Sequence, residues 1–230
     1  MKIIVTGGSG FIGSHILVEL SKINCEFLVL DNFSTSSPKV FDRIKKITGI
    51  DTSYKNVDIK DYNKVKDAFF EYAPDLVVHL AGLKSVNESN VKPLLYYENN
   101  VYGSLNILKA MEEINCNKII FSSSATVYGI PNYLPYDEKH YCNPINPYGE
   151  SKLAVEKMIA DWVKSNNKNK GVILRYFNPI GAHPSGLIGE QPVGKPNNLM
   201  PFITQHAVGK IEKLHVFGND YKTIDGTGVR

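Results

Sequence analysis

The sequence predicts an α/β fold, a doubly wound parallel sheet with part of a second, smaller domain after it. Three observations predict this. Short apolar runs alternate with longer amphipathic stretches, a glycine-rich turn sits between the first strand and first helix, and the texture changes to loop composition after Asn178. At 230 residues and 43% hydrophobic, the chain can bury a substantial core.

Lys2 to Thr6 reads as the first strand, Phe11 to Lys22 as its helix and Glu26 to Leu30 as the second strand, together about one βαβ unit. Further strands are predicted at Tyr54 to Val57, Leu76 to Ala81, Lys118 to Ser123 and Gly171 to Phe177. Helices are predicted at Asp61 to Tyr72, Pro93 to Ile114 and Pro147 to Ser165. Beyond Asn178, closely spaced prolines and glycines mark loops, followed by a short helix at Leu199 to Gly209 and a strand-like Lys213 to Phe217. The boundary is therefore set at 178, with residues 1–178 as one domain and 179–230 as an incomplete second region. The chain ends abruptly at Arg230, in a glycine-rich turn that ordinarily leads into another element.

Composition excludes several function classes. Twenty-six basic against 23 acidic residues give a formal charge of +3, with no basic stripe, so no nucleic-acid partner is expected. No run of about eighteen apolar residues occurs, so no membrane span is expected either. Cys25, Cys116 and Cys142 lack pairing or zinc spacing, and the N-terminus opens on an apolar strand without a leader pattern. Both point to a cytoplasmic protein with reduced thiols. His15, His79, His140, His183, His206 and His215 show no ligand spacing, so no metal is expected.

Thr6-Gly7-Gly8-Ser9-Gly10-Phe11-Ile12-Gly13 places glycines at G-x-x-G-x-x-G between strand and helix. Gly7 permits the tight turn, Gly10 lets backbone approach a pyrophosphate, and Gly13 lets the helix sit close to the strand. Free amides and the positive end of the helix dipole then favour phosphate. This is the phosphate cradle of a Rossmann dinucleotide site. Asp31, closing the second strand, can accept hydrogen bonds from an adenosine ribose and would repel a 2′-phosphate, which favours NAD over NADP. Asp58, after the third strand, can reach an adenine ring.

Tyr148-Gly149-Glu150-Ser151-Lys152 puts a phenol and an ammonium on one helix face at i, i+4. A tyrosine base at neutral pH needs roughly three units of acidification, about 4 kcal/mol. A single ammonium about 4 Å away at an effective dielectric of about 20 supplies that order of energy. Lys152 is thus expected to pull the Tyr148 phenol down. Ser122, Ser123 and Ser124 end the strand before this helix, where open α/β sheets place ligands. A hydroxyl there can bridge base and substrate, while one or two of the three satisfy strand-end backbone; composition does not choose among them.

With these motifs in this order, the sequence resembles the extended short-chain dehydrogenase/reductase superfamily, and within it the UDP-glucose 4-epimerases. The resemblance spans the whole chain. It is carried by Phe121 to Gly129, Leu174-Arg175-Tyr176-Phe177-Asn178-Pro179, Gly181 to Gly186, Asn197-Asn198-Leu199-Met200-Pro201 and Asp225 to Arg230. It implies Ser124 as proton bridge, Tyr148 as base and Lys152 as its activator. It also implies a set of NAD contacts: Gly7, Gly10, Phe11, Ile12, Gly13, Asp31, Asn32, Thr35, Ser36, Asp58, Ile59, Leu80, Ala81, Lys84, Asn99, Tyr148, Lys152 and Phe177. Thr35 and Leu80 depart from the residues the family places there. Lys84, Ser124, Tyr148, Asn178, Asn198, Leu199, Phe217 and Arg230 are implied to face UDP-glucose or UDP-galactose, with Arg230 toward the diphosphate.

The implied reaction is reversible 4-epimerisation through a 4-keto sugar, by a homodimer. Family members continue past the position matching Arg230, so the resemblance implies a chain truncated within the nucleotide-sugar domain. A sugar-nucleotide dehydratase would begin with the same oxidation but place Asp-Glu where Ala125-Thr126 stand here, which argues against elimination. A non-catalytic NAD-binding scaffold would need the glycine turn but not the Tyr148/Lys152 pair.

Overall fold

The computed structural model describes residues 1–192, 194, 196, 198–216 and 218–228. Six parallel strands form one sheet: β1 (Lys2–Thr6), β2 (Glu26–Asp31), β3 (Ser53–Asn56), β4 (Leu76–His79), β5 (Lys118–Ser124) and β6 (Lys170–Tyr176). Their spatial order is β3-β2-β1-β4-β5-β6, the Rossmann arrangement. The strand order reverses between β1 and β4, and open sheets of this kind place ligands at the carboxyl ends of the strands at such a point.

The central strands β1, β2, β4 and β5 are apolar on both faces because helices cover both, whereas the edge strands β3 and β6 are largely exposed. Ile3, Val5, Val29 and Val78 face α1 (Phe11–Leu20) and α2 (Lys39–Thr48), which contribute Leu17, Val18, Phe41 and Ile44. The alternate residues Ile4, Leu28, Leu30, Val77, Ile119 and Phe121 face three other helices. These are α3 (Tyr62–Tyr72), α6 (Gly103–Glu113) and α7 (Pro147–Ser165), contributing Phe69, Ile107, Met111, Val155, Ile159 and Trp162. Removal of this area from water is the main stabilising term.

The six strands predicted ahead of Asn178 lie where expected to within a residue or two, and Pro147–Ser165 is helical over its full predicted span. Two helices escaped the sequence reading: α2, and the short α4 (Val86–Val91). The predicted Pro93 to Ile114 helix is not continuous. It divides into α5 (Pro93–Tyr96), a π-helical turn at Tyr97–Tyr102 and α6. The irregular turn carries the buried Asn100, whose side chain bonds outside its own helix, a recurrent setting for such bulges. Residues 213–216 form no strand, and the rest of that predicted element, Phe217, lies outside the described residues.

The chain divides into two compact units, Met1–Glu190 and Gln191–Arg230. The second contains α8 (Leu199–Ala207), preceded by Asn198, and a turn in which Thr227 and Thr223 hydrogen-bond the Asp225 carboxylate. Among the described residues, no helix is long and apolar enough to cross a membrane.

Candidate active site

The glycine turn is shaped so that side chains cannot replace it. Gly7 has φ +70°, and a Cβ there would lie 2.6 Å from the Ala81 amide nitrogen. A Cβ on Gly13 would lie 2.5 Å from the Gly7 carbonyl, so Gly13 packs against the turn itself. Gly10 meets only that carbonyl, at 3.4 Å, and keeps an open approach. It is also the N-cap of α1 and offers no capping side chain. Ser14 N–H closes onto the Gly10 carbonyl at 2.9 Å, so the amides ahead of it at Phe11, Ile12 and Gly13 are those a helix start turns outward.

Asp31 ends β2 beside this turn, almost fully buried. Its Oδ2 accepts Ser9 N–H at 3.1 Å and the Ser9 hydroxyl, while Oδ1 accepts Phe33 N–H at 2.9 Å and the Ser36 hydroxyl at 3.2 Å. Asn32 donates to Asp58 Oδ2 at 3.2 Å, and Thr35 is exposed on the same loop. Ile59 is buried under α6, where Gly103 leaves room for it. A dinucleotide fits this donor set: outward amides for phosphate, a fixed carboxylate for ribose hydroxyls, and a cradle that a single Cβ would fill.

The other wall begins at the end of β4. Leu80 N–H donates to the Thr6 carbonyl at 3.0 Å, and Ala81 N–H to Thr6 Oγ1 at 3.2 Å. Sequence reasoning missed what holds this wall. His79, read only as an ordinary histidine, is fully buried between Thr6 Oγ1 (2.6 Å from Nδ1) and Ser104 Oγ (2.8 Å from Nε2). The Ser104 hydroxyl donates to the Asn100 carbonyl at 2.5 Å, so it accepts from Nε2–H, and Nδ1 accepts from Thr6. The Thr6 hydroxyl also accepts Ala81 N–H, so the Thr6 and Ser104 hydroxyls each donate once and accept once. Burial, then the Lys152 charge, push the His79 imidazole down to about 3, in keeping with this neutral form.

Asn100 extends the network toward α7. It accepts Leu83 N–H at 2.8 Å and donates to the Leu83 carbonyl and to Ser151 Oγ, both at 3.0 Å; Ser151 in turn donates to the Tyr148 carbonyl at 2.7 Å. Asn99 donates to Asn100 Oδ1 at 3.0 Å. Lys84 is exposed and pairs with Glu190 at 2.9 Å.

Helix α7 starts at Asn146, whose side chain accepts Gly149 N–H at 2.9 Å, with Pro147 in the first turn. Gly149 allows that start to press on the turn after β5, since a Cβ would meet the Thr126 carbonyl at 2.9 Å. Tyr148 and Lys152 are thereby both buried against the end of β5. The three serines there have separate partners. The Ser122 carbonyl accepts Lys152 Nζ at 2.8 Å, the Ser123 hydroxyl donates to Glu156 Oε1 at 2.5 Å, and the Ser124 hydroxyl stands near enough to the Tyr148 phenol to favour its ionised form. Ser124 Oγ also accepts Thr126 N–H at 3.2 Å. Ser124 is thus the hydroxyl brought to the phenol.

The electrostatics differ from those expected from spacing. Burial holds the Tyr148 phenol above its ordinary value, and the hydrogen bond from Ser124 is what pulls it down. The ammonium of Lys152 lies 6.0 Å from the Tyr148 ring centre and 4.9 Å from that of Phe121. Burial lowers Lys152 itself to about 8, opposed by the Glu156 carboxylate. The reason is desolvation: the site that shields the phenol from water shields its activator too.

Phe177, just past β6, is exposed, with its ring near Tyr128 and Tyr136 at 6.4 and 6.1 Å between centres; Asn178 is exposed beside it. Asn198 and the exposed Leu199 belong to the second unit, and Phe217 and Arg230 lie outside the described residues. Among the described residues, no group of three or more His, Cys, Asp or Glu side chains could hold a metal ion.

Comparison with known proteins matches this geometry. The family model described as NAD dependent epimerase/dehydratase family matches residues 3–230. A UDP-glucose 4-epimerase of Bacillus subtilis is 51% identical over 230 residues, all of this chain and 68% of that protein. UDP-glucose 4-epimerase 2 of Arabidopsis thaliana is 48% identical, over 100% of this chain and 66% of its own length. The crystal structure of UDP-glucose 4-epimerase from Bifidobacterium longum in complex with NAD+ and UDP superposes with a TM-score of 0.95 at 45% identity, covering 99% of this chain and 68% of that one. The chain spans about two thirds of the length of these relatives.

Proposed function

This chain belongs to the NAD dependent epimerase/dehydratase family, among the UDP-glucose 4-epimerases, and from that premise we propose that it interconverts UDP-glucose and UDP-galactose through a 4-keto sugar. The observation that carries the reading is the meeting of the Ser124 hydroxyl with the Tyr148 phenol at the carboxyl edge of β5, above a buried Lys152. That edge belongs to the same sheet whose β1 and β2 ends form the glycine cradle and Asp31.

Gly7, Gly10, Phe11, Ile12 and Gly13 would hold the pyrophosphate of NAD, and Asp31, Asn32, Thr35 and Ser36 its adenosine ribose. Asp58 and Ile59 would face the adenine, and Leu80, Ala81, Lys84, Asn99, Tyr148, Lys152 and Phe177 the nicotinamide half. When bound, NAD supplies a reversible two-electron acceptor for sugar C4. The chain supplies the proton chemistry. Tyr148, as its phenolate, takes the 4-hydroxyl proton through Ser124 in one direction and returns it in the other, and Lys152 provides the cation that supports that phenolate. Asn146 and Gly149 fix where that phenol stands.

Lys84, Ser124, Tyr148, Asn178, Asn198, Leu199, Phe217 and Arg230 are the residues this reading assigns to the UDP-sugar, and residues 179–230 to part of the region that binds it. The reading also takes the protein to be a cytoplasmic homodimer. Exposed Val91, Leu94, Tyr97, Tyr102 and Leu105, from α4 through α6, support pairing through that face. Elimination is disfavoured, because Ala125 and Thr126 stand where a dehydratase needs acid and base.

The test is incubation with UDP-galactose without added NAD, following UDP-glucose. Conversion is expected. A 4-keto-6-deoxy product would replace the reading with a dehydratase, and binding of both NAD and UDP-galactose without turnover would reject catalysis by this chain.

A further inference from the structure

Three buried polar side chains stand on one stripe of α7 at successive turns: Tyr148, Lys152 and Glu156. The proposed reaction uses the first two. Glu156 is left over, yet it is the most firmly held of the three. Its Oε1 accepts from Ser123 Oγ at 2.5 Å and Arg175 Nε at 3.0 Å, and its Oε2 accepts from Arg175 Nη2 at 2.7 Å. Arg175, on β6, is itself fixed over the Tyr128 ring, 4.9 Å from its centre. Only 4% of Glu156 is exposed. Burying an ion pair costs several kcal/mol of desolvation per ion, and a well-packed apolar pair commonly replaces one without loss of stability. The placement therefore calls for a role beyond holding α7 to β6.

Its position supplies one. Glu156 lies one helical turn beyond Lys152, and Ser123, which holds it, is the neighbour of both Ser122 and Ser124. We propose that Glu156 is a positioning residue: its carboxylate, clamped by Ser123 and Arg175, keeps the buried Lys152 ammonium charged and aimed at the Ser122 carbonyl beneath Tyr148. The inference rests on the roles given above to Tyr148 and Lys152. Burial lowers Lys152 to about 8, and Glu156 is the charge that opposes burial there.

The other groups facing this stripe do not substitute for it. His79, from β4, is buried and neutral. Arg175, from β6, is a cation and cannot stand in for the carboxylate. From α5, Tyr96 packs edge-on against Tyr148 and donates to Glu88 of α4 at 3.2 Å. Cys142 lies near Arg175, Glu156 and Lys157.

The test is direct titration of Lys152, by the Cε chemical shift in 13C-lysine-labelled protein, with the signal assigned by its loss in Lys152→Arg. In Glu156→Gln the midpoint is expected to fall by about one pH unit or more, and the alkaline limb of turnover to move down with it. Glu156→Gln leaves Arg175 without its partner and can fail to fold, so the Glu156→Gln/Arg175→Gln pair is measured beside it. That pair removes both charges together, and its Lys152 midpoint is expected to stay below the wild-type value. A merely structural role predicts the opposite: recovered folding with an unchanged midpoint. An unchanged Lys152 midpoint in either folded variant overturns the inference. A lowered midpoint supports it even if the wild type shows no epimerisation, which would count against the proposed reaction instead.

Discussion

The central residues are a phenol and an amine that burial drives in opposite senses. Tyr148 is held above its ordinary value and Lys152 down at about 8, so near neutral pH the chain alone holds a protonated phenol beside a largely protonated amine. If Lys152 must carry its proton to support the phenolate, that proton is present below about pH 8 and lost above it. Turnover is expected to show an alkaline limb near pH 8, read from kcat against pH. Tyr148→Phe should lower kcat by about 10²–10⁴-fold, the usual worth of a positioned acid or base. Its Kd for NAD should change by only a few-fold, since the cradle amides and Asp31 are untouched. An equal loss in both quantities would make Tyr148 a packing residue.

In the proposed reaction helix α7 is the element on which the chemistry depends, and its start is defined by Asn146, Pro147 and Gly149 rather than by its apolar face. Asn146→Ala removes the acceptor for Gly149 N–H. The expected cost is about 1 kcal/mol, seen as a lowered denaturation midpoint with unchanged m-value, and Asn146→Asp should restore it. The first turn carries Tyr148, so fraying should lower kcat more than affinity for NAD. The cap and proline signals are local, which is why the predicted and observed limits of this helix coincide. The π-helical turn ahead of α6 had no such signal. It is imposed by Asn100 reaching Leu83 and Ser151, residues far from it along the chain.

Across the whole molecule, His79 ties β1, β4 and α6 together beneath the cradle. An unfolded histidine takes up its proton near pH 6.5, whereas folded His79 resists protonation down to about 3. Below about 6.5 the unfolded chain therefore binds more protons, so stability falls as pH drops through that window, by up to about 1.4 kcal/mol per pH unit from this group. Denaturant unfolding between pH 7 and 4 should show a steeper loss for the wild type than for His79→Asn. Equal slopes would mean that the imidazole is protonated in the folded state.

What the sequence determined by itself was whatever depends on neighbours along the chain. The alternation of strands and helices, the glycine spacing of the cradle, Asp31 at a strand end and the one-turn separation of Tyr148 from Lys152 are all short-range properties, and each was legible before any fold was known. The tertiary structure decided the rest. It selected Ser124 from three equivalent serines, joined Glu156 to Arg175 and Ser123, and made His79 a neutral link. It also set the protonation of Tyr148 and Lys152 away from the values their spacing suggested. These depend on burial and on partners brought from other strands, and desolvation is a property of the packed interior that no local pattern of residues encodes.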